Sequence, residues 1–263
     1  MIESIAAGAF VTEVALGEYD VRGALLVDAA RVVVWDTLSH PRDMAGWLPL
    51  IGDRNVEVVY SHADWDHIWG TAGLPLRNAT IVGHRACRER FGTDVPRTLC
   101  ERQRTEPGKW DEVTLVVPNA VFDDKMVVGI GSMTLELHHL PGHTTDAIVG
   151  FVPERGLLLM GDAAETPFPV VPPDSPLVEW VAGLERWAHD PRVRTVVPAH
   201  GPTGGTDILQ KNLRYLRGLL DGRPLTVAEP LTEFYRKTHQ ANVGWAEPRP
   251  IRAPGRQPNG PVG

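Results

Sequence analysis

The chain has 263 residues, of which 43% are hydrophobic and 22% charged, the composition of an ordinary globular protein with material for one large domain or two small ones. A formal net charge of −7 argues against nucleic acid as a general partner, because phosphate binding needs a basic face. No stretch approaches the ~20 apolar residues of a membrane span.

The opening Met1-Ile2-Glu3-Ser4 has neither a basic region nor a long apolar one, so no signal peptide is expected and a cytoplasmic setting fits. Strands are expected at Phe10–Leu16, Gly23–Val27 and Arg31–Trp35. The third ends at Asp36-Thr37, and Pro41 then leads an amphipathic stretch to Ile51 that reads as a helix. Val56–Tyr60 is the next strand and Thr80–Gly83 a short one. His84–Arg104 reads as a helix broken near Gly92–Pro96. It carries six arginines, which read as a solvated helix face. The two cysteines, Cys87 and Cys100, fall in the same stretch and read as small apolar helix residues. On one helix they would stand roughly 20 Å apart, too far to bond. No disulfide framework is implied.

Val113–Val117, Met126–Ile130 and Met133–Leu137 follow as strands, the last two joined by a Gly131-Ser132 turn. Ala147–Val152 and Gly156–Met160 form a hairpin around Pro153-Glu154-Arg155. Pro167–Pro176 is irregular. Leu177–His189 has helical periodicity, Thr195–Val197 is a strand, and Thr206–Leu220 is a helix with Thr206 as N-cap. Residues 246–263 hold five prolines and should form no core alone. The expected organisation is a single domain over 1–245 with a proline-rich tail, which reads as a linker remnant, a disordered end or an intersubunit arm in a homo-oligomer.

Ser61-His62-Ala63-Asp64-Trp65-Asp66-His67 is the densest chemical signal. Two histidines and two aspartates occupy six consecutive positions directly after an apolar strand. Imidazole and carboxylate, with thiolate, are the side chains that bind divalent metals well. Three more such residues also follow apolar strands: His143 after Leu140-Pro141-Gly142, Asp162 after Leu159-Met160-Gly161, and His200 after Val197-Pro198-Ala199. A half-buried carboxylate at Asp162 needs a partner, and a metal supplies one. Loops at strand ends converge on one rim of a sheet assembly, so four chelating loops there make a binding site. Asp64 reads as a direct ligand or as a carboxylate that orients a histidine. Trp65, Trp69 and the Pro167–Pro176 segment with Phe168 are candidate pocket walls. Trp180 and Trp187 read as core, and His84, His138 and His139 as packing or solvated residues.

The set His62, Asp64, Asp66, His67, His143, Asp162, His200 resembles the metallo-β-lactamase fold superfamily, with its His-x-His-x-Asp-His loop followed by a separate His, an Asp and a last His. The resemblance covers about residues 10–220. It implies an α/β fold, an αββα sandwich of two mixed β-sheets flanked by helices, with Asp36 beneath the site. It also implies two divalent metal ions, zinc first. His62, Asp64 and His143 would hold one, Asp66, His67 and His200 the other, and Asp162 would bridge them, with Asp66 as the catalytic carboxylate. Asp64 stands where the pattern has a histidine. It adds a negative charge and a harder donor, which moves preference toward iron or manganese; the flavodiiron branch has a glutamate there. The expected function is a metal-dependent hydrolase acting on a small ester, thioester, lactone or related substrate. No nucleic-acid or membrane partner is expected, nor a β-lactam role without export. Two alternatives stand beside it: an O2-dependent non-haem di-iron enzyme, and a metal-poor binding protein that kept the fold.

Overall fold

The computed structural model describes residues 2–246, apart from 224, 228 and 229. Almost all of the expected tail lies outside the described residues. The first sheet takes seven strands in sequence order: β1 (Glu3–Ala6), β2 (Ala9–Ala15), β3 (Asp20–Val27), β4 (Arg31–Trp35), β5 (Asn55–Val59), β6 (Thr80–His84) and β7 (Ala120–Phe122). Pairing is antiparallel from β1 to β4 and parallel from β4 to β7. The second sheet has the order β12–β11–β10–β9–β8, from β8 (Lys125–Ile130), β9 (Met133–His139), β10 (Ile148–Val152), β11 (Leu157–Gly161) and β12 (Thr195–Pro198). Only β11–β12 is parallel in that sheet. Both sheets are therefore mixed.

Three apolar layers follow from the strand patterns. Val32, Val33 and Val34 of β4 are all fully buried, as expected of a strand covered on both faces. Val33, Trp35, Val59, Leu26 and Ala24 meet Leu135, Leu137, Ile148 and Leu159 between the sheets. The outer face of the first sheet, with Val34, Val58 and Tyr60, packs on Met44, Trp47, Ile51, Cys87 and Leu99. These come from a 3-10 helix at Pro41–Trp47, α1 (Leu48–Ile51), α3 (Arg85–Arg90) and α4 (Asp94–Thr105). The outer face of the second sheet, with Phe151, Leu158 and Met160, packs on α5 (Leu177–Ala188), α6 (Asp207–Leu220) and α7 (Glu233–Ala246). The order of layers is helix, sheet, sheet, helix, the expected αββα sandwich.

Several local expectations are corrected. Val113–Val117 is not a strand, because Asn119 takes the edge of β6, bonding Ile81 through both backbone and side chain, and β7 continues from there. Pro41–Ile51 is a 3-10 segment with one α-turn, in keeping with the donor that Pro49 lacks. Thr206 precedes α6 but makes no side-chain cap bond. The break in the arginine-rich helix falls at Phe91–Thr93, and Pro96 sits in the first turn of α4, where a missing N–H costs little. The cysteines consequently sit on different helices, Cys87 buried and Cys100 exposed, both free. β1, β7 and α7 are additions to the expected elements, as is α2 (Trp65–Ile68) in the metal-type loop.

Candidate metal centre

Each predicted chelating loop leaves the same rim. His62 and Asp64 follow β5, and Asp66 and His67 lie on the single turn of α2. His143 lies in the β9–β10 loop, Asp162 directly after β11 and His200 after β12. The fold brings all seven together. Asp162 is at the centre and its two oxygens face different histidines. Oδ2 lies 3.7 Å from His62 Nε2 and 3.6 Å from His143 Nε2. Oδ1 lies 3.2 Å from both His67 Nε2 and His200 Nε2. Asp64 Oδ2 closes the first group, 3.5 Å from His62 Nε2 and 3.3 Å from His143 Nε2. Asp66 closes the second, 3.8 Å from His67 and 3.9 Å from His200. The triplets His62–Asp64–His143, Asp66–His67–His200 and His62–His67–Asp162 are each compact enough to hold an ion.

The far nitrogen of every histidine is engaged. Nδ1 of His62 meets Ser61 Oγ at 3.0 Å, and Nδ1 of His67 meets Asp36 Oδ2 at 3.0 Å. His143 Nδ1 donates to the Val170 carbonyl at 3.0 Å and His200 Nδ1 to the Asp20 carbonyl. These acceptors fix ring orientation and turn each Nε2 inward, the usual support of a metal-binding imidazole. His62 Nε2, His67 Nε2 and Asp162 Oδ1 are buried with no hydrogen-bond partner. Buried polar atoms are costly when unpaired, and cations bound at this centre would satisfy all three. The residues therefore fit divalent metal.

The model of the metallo-beta-lactamase superfamily matches residues 21–200. This chain belongs to the metallo-beta-lactamase superfamily. A metallo-beta-lactamase type 2 of Bacteroides fragilis is 33% identical to it over 105 residues, which make up 38% of this chain and 42% of that protein. The match thus spans less than half of that relative. A solved metallo-beta-lactamase from Pontibacter korlensis has a TM-score of 0.67 and covers 82% of this chain and 98% of its own, at 18% identity. At that identity the likeness is one of fold. The superfamily normally binds divalent metals, and the His/Asp cluster suits that role.

The superfamily cluster is strongly polarised. Burial works to lower the histidines, but neighbouring carboxylates win. Asp64 and Asp162 raise His143 to about 10. Asp162, with Glu165 and Asp66, raises His200 to about 10. Against burial, Asp162, Asp36 and Asp66 hold His67 well above the usual imidazole range. Burial would raise the two carboxyls; instead His62 and His143 hold Asp64 well below the carboxylate range, and His200, His67 and His62 do the same for Asp162. Divalent ions binding here must displace those imidazole protons.

Several participants were not among the predicted site residues. Glu165 is buried and forms a compact triplet with His143 and Asp162; burial lifts its carboxyl to about 7, against His200 and with Asp162. Tyr19 lines the pocket, its ring edge-on to His200 at 5.4 Å and stacked on Phe234 at 4.5 Å, while Glu18 accepts the Phe234 backbone N–H. Arg90 donates to Asp64, Asp94 and Asp146, and buried Asp146 accepts the Ala63 N–H at 2.8 Å. Its arginine-rich helix is thus not wholly a solvated face. Arg102 likewise lies over Trp65, 3.8 Å from the ring centroid.

Of the proposed walls, Trp65 and Val170 line the pocket, a cavity of about 130 Å³, with Phe234. Trp69 is fully buried, and Phe168 stacks on Tyr215 at 4.6 Å instead of facing the site. Trp180 and Trp187 are core, as expected. His84 stacks on His139 at 3.9 Å and His138 packs edge-on to Trp187, away from the seven.

Proposed function

We propose that this chain is a dinuclear metal-dependent hydrolase of small ester, thioester, lactone or related substrates. The observation that carries the reading is the division of Asp162, one oxygen toward His62 and His143, the other toward His67 and His200. His62, Asp64 and His143 would hold one ion and Asp66, His67 and His200 the second, with Asp162 shared. Zinc is the first expectation, and the carboxylate of Asp64 admits iron or manganese. Bound here, such ions would supply Lewis acidity and bring the pKa of a water toward about 7.

The remaining steps belong to the chain. Asp66 lines the pocket and would orient the attacking water and take its proton. Burial, with Asp66 and Asp162, holds the Tyr19 phenol above its ordinary range, so it stays an O–H donor for a substrate oxygen that gains charge. Trp65, Val170 and Phe234 offer apolar surface to a substrate of modest size. No serine or cysteine nucleophile is required. The partner is a small molecule, and the acidic chain disfavours nucleic acid.

The test is metal analysis with turnover. The full chain, expressed with iron and zinc both present, is expected to hold two metals per chain and to hydrolyse members of an ester, thioester and lactone panel. Two irons per chain with oxygen consumption would instead favour the di-iron redox enzyme. Ligand binding that survives both Asp162→Ala and His143→Ala would favour a metal-poor binding protein.

A further inference from the structure

Asp64 is the residue of the cluster with a cation of its own. Arg90, the last residue of α3, places Nη2 2.6 Å from Asp64 Oδ1. The same guanidinium reaches Asp94 Oδ2 at 2.8 and 3.0 Å and Asp146 Oδ1 at 3.0 Å. Asp146 is fully buried, and its other oxygen accepts the N–H of Ala63, next to Asp64 in the chain. The arginine is therefore pinned by two carboxylates from elsewhere, α4 and the loop after His143, and so approaches Asp64 from a fixed direction. Asp64 Oδ1 is taken. Asp64 Oδ2 faces His62 and His143.

We infer that Arg90 is a positioning residue that makes Asp64 a one-oxygen ligand: it occupies Oδ1, aims Oδ2 into the site, and offsets the charge that a carboxylate brings in place of a neutral imidazole. This rests on the metal-centre reading above. A free carboxylate can rotate, chelate through both oxygens or turn to solvent. A planar fork fixed on two other acids removes those choices, and a lysine, with a single point charge, cannot reproduce it. The arrangement gives Asp64 the directionality of a histidine while keeping a hard donor.

A double-mutant cycle on metal affinity tests this. The full chain, stripped of metal, is titrated with zinc against a chromophoric chelator and, separately, with cobalt(II) for its visible spectrum. Variants are Arg90→Met and Arg90→Lys, each with Asp64 and with Asp64→His. With Asp64 present, Arg90→Met is expected to weaken one of the two zinc sites by about 10- to 100-fold and to alter the cobalt bands. Arg90→Lys should fall between. In the Asp64→His background, removing Arg90 should leave affinity and spectrum nearly unchanged. Equal losses in both backgrounds, or no loss in either, would overturn the inference. If circular dichroism finds Arg90→Met unfolded, the Arg90→Lys pair of comparisons decides by the same criterion. A native chain that takes up neither metal overturns the metal-centre reading and this inference with it. Normal uptake with Arg90 indifferent overturns the inference alone.

Discussion

Asp36 accepts a hydrogen bond from His67 Nδ1 at 3.0 Å, and neither side chain is exposed. The other Asp36 oxygen accepts the Ser61 N–H at 2.7 Å, so one carboxylate holds both ends of the loop from Ser61 to His67. Asp36 does this from a left-handed backbone conformation, φ 56°, which aspartate and asparagine tolerate better than most residues. Asp36→Ala should therefore cost about 3–5 kcal/mol in urea unfolding, since it leaves a buried imidazole and an amide without their partner. Asp36→Asn should remain folded and lose about 10- to 100-fold in zinc affinity, measured by chelator competition. An alanine variant as stable as the native chain would refute this role.

Unequal effects are expected from two ligand changes. Asp162 faces both pairs of histidines, whereas His143 faces one. On the two-ion reading, Asp162→Ala should abolish tight binding at both positions, and His143→Ala should leave about one ion per chain. Atomic-emission analysis of dialysed protein distinguishes them. Identical metal contents in the two variants would contradict the shared role of Asp162.

The pH response of the metal-free chain has a definite sign. His143 and His200 are raised to about 10 from an ordinary 6.5. Groups raised in the folded state stabilise fully below their unfolded value and lose that contribution as pH rises through the folded one. Chelator-treated protein should therefore lose stability steadily between pH 6.5 and 10, read as a falling unfolding midpoint. At pH 7 zinc uptake should release protons, seen as a calorimetric enthalpy that depends on the buffer's ionisation heat. Uptake with no proton release would count against protonated imidazoles in the metal-free site.

Gly142 is tightly constrained. A Cβ at this position would come within 2.4 Å of the Trp180 ring, and Trp180 is fully buried with its Nε1 donating to the Ala163 carbonyl. Gly142→Ala should cost about 1–3 kcal/mol and weaken metal binding by displacing His143. Gly129→Ala, with nothing within 4 Å, is the control and should change neither. Thermal melts and zinc titration of both variants check this.

The seven residues that meet at the rim were legible from local sequence: His62 to His67 as one dense run after a strand, and His143, Asp162 and His200 each just beyond an apolar run. The strands were legible for the same reason, as at Val32-Val33-Val34 and Leu157-Leu158-Leu159. Arg90 was not, because the two partners that tie it to the site, Asp64 and Asp146, lie 26 and 56 residues away and only the fold unites them. Its surroundings, rich in arginine, resemble any solvated helix. Helix α7 was hidden by its own burial pattern: Thr238 and Asn242 are buried beside Tyr235, so apolar periodicity is weak. Asn242 instead bonds the backbone of Pro169 and Val171. Glu165 follows Asp162 in a loop with no periodic signal, and only proximity to His143 marks it.

Three successive residues of the β2–β3 hairpin do unrelated jobs. Glu18 anchors α7, which is 216 residues downstream, Tyr19 walls the pocket, and the Asp20 carbonyl orients His200. Hairpin tips ordinarily accept an added residue with little harm. Here the tip is a ruler. Adding one residue beside Gly17 would offset all three neighbours together, separating the helix, the wall and the imidazole in a single event. The spacing of this surface turn is thus constrained by three separate parts of the molecule.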